Sequence, residues 1–314
     1  MAVRLEGAPL ISFRYHVVTI AAVFLALAIG LLGGSAFVQP ALQEELQDRT
    51  DAAEALAEEL RAEIDDLRAQ IAGLSGFADA ALPYLTAGRL LAVPVVLVTQ
   101  VGVEDEVLAQ ATEALGSAGA EILMTVSATA LLASDEPAVQ QQLAEILGAP
   151  DSAPEELSGL AAGELAVRLA TPQAPAPEED VLTQLLSGGF LAPVGSVPDP
   201  TTLEELGSPG QVVLVLSGGQ GDEPALAPEA FAVPLVEALS GLEAWVAAGE
   251  SLSTVFPYVA LVRAAGLDGV VTVDDLDRAA GGSALVLGLD RLLSTGQGGD
   301  YGVKDGAEPL PPPP

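Results

Sequence analysis

The sequence predicts an α/β protein in which an N-terminal transmembrane helix and a coiled-coil helix precede a mostly parallel, doubly wound sheet domain with a helical insertion. Three observations predict it. An uncharged apolar run follows the first few residues, a heptad pattern follows that run, and from Pro83 to Leu293 short β-branched runs alternate with helical patterns.

Between Arg14 and Glu44 no residue is formally charged, except His16 when protonated, and Val17 to Val38 is almost unbroken apolar sequence. Such a segment rises about 33 Å as a helix, which matches a hydrocarbon core about 30 Å thick. Arg4 and Arg14 precede it, while Glu44, Glu45 and Asp48 follow. The positive-inside rule therefore places residues 1–16 in the cytoplasm, spans the cytoplasmic membrane once with 17–38, and leaves the rest extracytoplasmic. A cleaved signal peptide is the alternative, because Gly34-Ser35-Ala36 offers small residues at a cleavage position. The apolar stretch is longer than the usual core of a signal, about 7 to 15 residues. Ala22, Ala26, Gly30 and Gly34 recur every fourth residue, a small-residue ridge of the kind that lets two membrane helices pack closely.

Pro40 suits the first turn of a new helix, and residues 41–75 read as a stalk rich in Glu, Ala, Leu and Arg. Leu46, Ala53, Leu60, Leu67 and Leu74 take the d positions, and Gln43, Thr50, Ala57, Ile64 and Ile71 the a positions. The seam is strongest over Leu60, Ile64, Leu67, Ile71 and Leu74. A parallel dimer would pair Arg49 with Glu54 and Glu63 with Arg68 across the helices, and both pairs attract. A homodimer through ridge and seam is the expectation. A coiled coil with another envelope protein, or a helix folded back on its own domain, would use the same stripe. Gly73 and Gly76 are expected to end this helix.

The globular part is expected over 77–295. Strands are predicted at 93–98, 122–126, 212–216, 244–247 and 269–273, and several are apolar throughout, as strands buried on both faces are. Helices are predicted at 104–115, 137–147, 155–169, 178–186, 231–240, 254–265 and 283–293. Strand followed by helix, repeated, gives a Rossmann-like sheet covered on both sides. Residues 150–209, with breaks such as Pro172-Gln173-Ala174-Pro175-Ala176-Pro177, read as a helical insertion between the second and third strands. Residues 296–314, ending in four prolines, read as a disordered tail.

The chain has 314 residues, is 50% hydrophobic, and has 44 acidic residues against 11 basic ones, for a formal net charge of −33. That surface repels phosphate backbones, so nucleic acid is excluded as a partner. There is no cysteine, which removes disulfides, thiolate metal sites and cysteine nucleophiles.

Leu216-Ser217-Gly218-Gly219-Gln220 matches the signature of ABC-type ATPases, but the phosphate loop that must accompany it is missing. A Gly-rich turn after a buried strand, through Gly221 to Pro224, explains it. The sole histidine, His16, lies at the membrane entry and the sole lysine, Lys304, in the predicted tail. A serine nucleophile thus has no base, and no catalytic residue is assigned. Asp274, Asp275 and Asp277 could hold Ca²⁺ or Mg²⁺ through hard oxygen donors. Such acids more commonly open a helix and face solvent, so neither metal ligands nor cofactor-binding residues are assigned.

Ile11-Ser12-Phe13-Arg14-Tyr15-His16-Val17-Val18, leading into the apolar helix with Gly30 to Gly34, resembles the opening of the actinobacterial MctB family of copper transport outer membrane proteins. Ala264 to Asp275, the helix from Ala284, and Gly298-Gly299-Asp300-Tyr301-Gly302-Val303 resemble its closing pattern. The chain departs in having Asp300 where histidine is expected and nine additional residues before Leu10. The resemblance spans the whole chain. It implies copper efflux across the envelope with a pore-forming role, and copper is implied by the resemblance alone. Relatives in corynebacteria are linked to cell division and envelope work with protein partners. The residues themselves fit copper poorly. Copper(I) prefers thiolate or thioether and copper(II) imidazole, yet beyond the membrane segment there is neither Cys nor His, and Met124 is the one methionine. No run of alternating strands suggests a membrane barrel.

These readings predict a membrane-anchored, non-enzymatic envelope protein, homodimeric through helix and stalk, that presents its domain to protein partners. An oligomeric copper-efflux component is the alternative, and an enzyme using a carboxylate-held metal a remote third.

Overall fold

The computed structural model describes residues 13–172, 176, 179–219 and 224–308. Residues 1–12 of the expected cytoplasmic terminus, most of the proline break at 173–178, Gln220 to Glu223 of the Gly-rich turn, and 309–314 lie outside the described residues. So do the side chains of Arg14, Gly34 and Glu44. The chain divides into two compact units, Met1–Ala72 and Gly73–Pro314.

Helix α1 runs over Phe13–Thr86. The expected break before Pro40 and the expected end at Gly73 and Gly76 are therefore absent, and the helix continues to Thr86. A glycine costs a helix interior only about 1 kcal/mol relative to alanine, which neighbours such as Ala72, Leu74 and Ala80 to Leu82 readily offset. Within α1, Tyr15–Gly33 is long and apolar enough to cross a membrane.

The second unit is built on a seven-stranded sheet in the order β3-β2-β1-β4-β5-β6-β7. Its strands are β1 (Pro94–Gln100), β2 (Glu121–Ala128), β3 (Leu191–Pro193), β4 (Val212–Leu216), β5 (Trp245–Gly249), β6 (Val270–Val273) and β7 (Gly299–Tyr301). All neighbours are parallel except β2 and β3. The order follows that of doubly wound sheets, with the reversal of direction between β1 and β4.

Strand alternation assigns side chains to the two faces. Val96, Val98, Val213, Val215 and Val246 join one core with α4 (Leu157–Ala170), α5 (Val181–Ser187), α7 (Ala232–Gly241) and α8 (Tyr258–Ala264). Val95, Leu97, Val212, Leu214, Ala247 and Val271 join the other with α2 (Asp105–Ser117) and α9 (Ala279–Thr295). Helix α3 (Pro137–Ile146) and α6 (Pro200–Glu205) complete the domain. The expected insertion holds α4, α5, the short antiparallel strand β3 and α6. It is pinned by the fully buried pair Arg168 Nε–Asp180 Oδ1 at 2.6 Å.

The expectation of a tail from residue 296 is corrected. Residues 299–301 form β7, pairing Val271 with Gly299, Thr272 with Asp300 and Val273 with Tyr301. Tyr301 is completely buried, and that burial of an aromatic ring fixes the segment in place.

Candidate functional site at the carboxyl edge of the sheet

In an open α/β sheet, ligands bind beyond the carboxyl ends of the strands, where the strand order reverses. Here that point lies between Gln100 of β1 and Ser217 after β4. A small cleft at this place is lined by Glu104, Ser217, Gly218, Gly219, Ser251 and Thr254, with Val103 and Val107 behind. The chain itself fills it. A Cβ on Gly219 would lie 2.9 Å from the Gly102 carbonyl oxygen, so the two loops touch backbone to backbone. The Gly219 amide donates to Thr254 Oγ1 at 2.6 Å and Val255 N–H donates to the Gly219 carbonyl at 2.9 Å. Ser217 Oγ donates to Gln100 Oε1 at 3.1 Å. In this turn Gly218 takes the positive φ that the sequence reading expected, at 98°, and Gly219 serves close packing.

A network of buried charge lies farther along the same edge. Glu250, directly after β5, is wholly buried. Its Oε2 accepts from the Tyr258 and Val259 amides at 2.8 and 2.9 Å, and its Oε1 from Lys304 Nζ at 2.8 Å. Burial, and then the Glu250 charge, push the Tyr258 phenol well above its usual pKa. Asp274, after β6, is also wholly buried; its Oδ2 faces Arg263 Nη1 at 2.7 Å and its Oδ1 accepts from Val303 N–H at 2.8 Å. Arg263 further donates to Thr272 Oγ1 at 2.9 Å and to the Tyr301 carbonyl at 2.8 Å. Asp300 accepts from Thr272 Oγ1 at 2.8 Å and lies 3.6 Å from Arg263 Nε. A carboxylate at position 300 therefore meets a guanidinium, a partner that histidine would serve less well.

Asp275 differs from these neighbours. It is 3% exposed, and its Oδ1 has no hydrogen-bond partner. Burial first, and then the charges of Asp274 and Asp277, raise its pKa from 3.8 to about 6. Gly281 at the start of α9 leaves the room it needs, since a Cβ there would lie 2.7 Å from Asp275 Oδ1. The expectation that Asp274 and Asp275 face solvent at a helix start is corrected: both are buried. Asp277 is half-buried and accepts from Leu252 N–H at 2.7 Å. The expectation of Lys304 in a loose tail is corrected by its pairing with Glu250. Among the described residues no group of three or more His, Cys, Asp or Glu is arranged to hold a metal ion. Met124 is 5% exposed, inside the core.

Of the residues expected to pair chains, Ala22, Ala26 and Gly30 are exposed on α1, while Gly34 lies outside the described side chains. Leu60, Ile64, Leu67, Ile71 and Leu74 are all exposed, from 46% at Ile64 to 70% at Leu74. Arg68, expected to reach a partner helix, lies 3.4 Å from Asp65 of its own helix with both side chains largely in solvent, a contact worth at most about 1 kcal/mol.

The described residues define an α/β protein whose switch-point crevice is closely packed by its own loops, preceded by one helix long and apolar enough to cross a membrane. The chain belongs to the MctB family: the family model described as copper transport outer membrane protein, MctB, matches residues 10–312. It is similar to the copper transporter MctB of Mycobacterium bovis and of Mycobacterium tuberculosis. Each is 27% identical over 317 residues, covering 95% of this chain and 98% of the relative.

Proposed function

We propose that this MctB-family protein is a non-enzymatic envelope component that acts through protein contacts. Its helix is held in the cytoplasmic membrane with the amino terminus inside, and its domain lies outside. The carrying observation is the seam Leu60, Ile64, Leu67, Ile71 and Leu74, which stays exposed along α1. A repeating stripe of this kind loses about 25 cal/mol per Å² while its apolar surface stays in water, and a second copy in parallel covers it with matched charges at Arg49 with Glu54 and Glu63 with Arg68. The self-filled crevice supports a role without catalysis.

Crosslinking in membranes tests the pairing: cysteines at Leu60 and at Leu67 crosslink like with like in a parallel homodimer. Crosslinking only to another protein would replace the homodimer by a mixed coil. The family description supports a second reading, an oligomer that moves copper outward as its cargo. Submicromolar copper affinity of the purified chain would favour it, as would copper sensitivity of a deletion strain restored by this gene. A division or envelope defect without copper sensitivity would favour the scaffold.

A further inference from the structure

At the opposite, amino edge of the sheet an open cleft of about 750 Å³ is lined by Glu237, Ser240, Glu243, Trp245, Leu267 and Asp268, together with the glycines of the neighbouring turns. That is the size of cleft in which proteins bind small or segmental ligands. A second cleft, of about 370 Å³, shares Glu243, Ala244 and Trp245 with it. The two therefore meet at Trp245, the single tryptophan of the chain. Trp245 is half-buried at the start of β5, and its indole N–H donates no hydrogen bond to the described residues. Glu237, Glu243 and Asp268 are exposed, and no basic residue lines either cleft.

We propose that this groove takes an arginine side chain presented by a segment of a protein partner. An aromatic face attracts a guanidinium within about 6 Å of its centroid, and carboxylates around it supply bidentate acceptors. The domain's own cations are largely engaged elsewhere. Of the six basic residues between 73 and 314, Arg89, Arg168, Arg263 and Lys304 form ion pairs inside the fold. The unbalanced acidic exterior steers a basic partner, and the groove gives it a place to dock. Two clefts that share Glu243, Ala244 and Trp245 suit an extended segment better than a compact ion. The proposal rests on the reading that the domain acts through protein partners.

Because Trp245 is the sole tryptophan, its emission reports the site directly. The full chain in detergent is titrated with a short peptide carrying two arginines, an equal peptide carrying two glutamates, and free arginine amide. The expected result is a saturable emission change with the arginine peptide only. Glu237→Gln with Asp268→Asn weakens it about 10-fold, while Glu106→Gln with Glu113→Gln on α2 changes it less than about 2-fold. Circular dichroism melts establish that both pairs of substitutions fold. No emission change, equal weakening by the α2 pair, or equal affinity for arginine amide each overturns the proposal: the first denies the site, the second leaves only a general field, and the third makes it a small-cation site. Crosslinking at Leu60 and Leu67 is unaffected by any of these outcomes, so the two readings fail separately.

Discussion

Asp275→Asn should stabilise the domain at neutral pH, although it removes a charge beside a network of ion pairs. The carboxylate is 3% exposed with an unpartnered oxygen, and its pKa is held near 6 instead of 3.8. Between those values the unfolded chain releases a proton that the folded chain keeps. The unfolded state therefore binds fewer protons there, and stability falls as pH rises through the window. From about pH 7 the penalty is nearly complete, and a rise from 3.8 to about 6 corresponds to about 3 kcal/mol as an upper bound. Asparagine keeps the shape, carries no charge near Asp274 and Asp277, and escapes the penalty. The expected gain near pH 7.5 is about 1 to 3 kcal/mol, or about 2 to 4 °C of melting temperature per kcal/mol for a domain of this size. Near pH 5 folded Asp275 is mostly protonated already, so the gain should shrink to about half. Thermal melts of both chains at the two pH values measure it, each well above the sequence pI of about 4.1. A variant less stable at pH 7.5, or a gain unchanged between the two pH values, would refute the account.

Lys304→Met should cost about 2 to 4 kcal/mol in chemical denaturation, because it leaves the wholly buried Glu250 Oε1 without its cation. Gly219→Ala should cost about 1 to 3 kcal/mol, since the new methyl meets the Gly102 carbonyl, which is backbone and cannot rotate away. Thr254→Val, which removes the acceptor of the Gly219 amide, should cost about 1 to 2 kcal/mol. A chain ending at residue 298 loses β7, Tyr301 and Lys304 together. It should lose its cooperative melt, whereas a tail with no structure could be removed without effect.

The central strands were legible because their residues are apolar in succession. Val212–Leu216 is buried at every position, and a strand that needs no polar face announces itself by composition. Strand β7 had no such mark. Gly299-Asp300-Tyr301 is short, contains a glycine and a charge, and is held by pairing with β6 and by one buried ring. The buried charges were hidden for a different reason. Asp274 finds Arg263 at a separation of 11 residues and Glu250 finds Lys304 at 54. Local sequence around an aspartate triplet looks the same whether its partners are water or distant cations. Glu250 stands alone after an apolar run and carries no local mark of its distant partner. The heptad stripe on α1 is visible in the sequence because heptads are local, and what covers it is not written in the spacing.

The placement of charge connects the two edges of the sheet. At the carboxyl edge, Arg263 and Lys304 neutralise carboxylates that the fold has taken out of water, and one carboxylate, Asp275, remains without such a cation. Those cations are committed to buried carboxylates, and the surface field is set by acids in excess. Salt separates the consequences. Ions screen exposed charges beyond about 8 to 10 Å at physiological strength but reach buried pairs much less. Added salt should therefore weaken arginine-peptide binding at Trp245 while leaving the cost of Lys304→Met nearly unchanged. If both responded alike, the carboxyl-edge network would be open to solvent, and the division of the domain into an internally neutralised edge and an externally acidic one would fail.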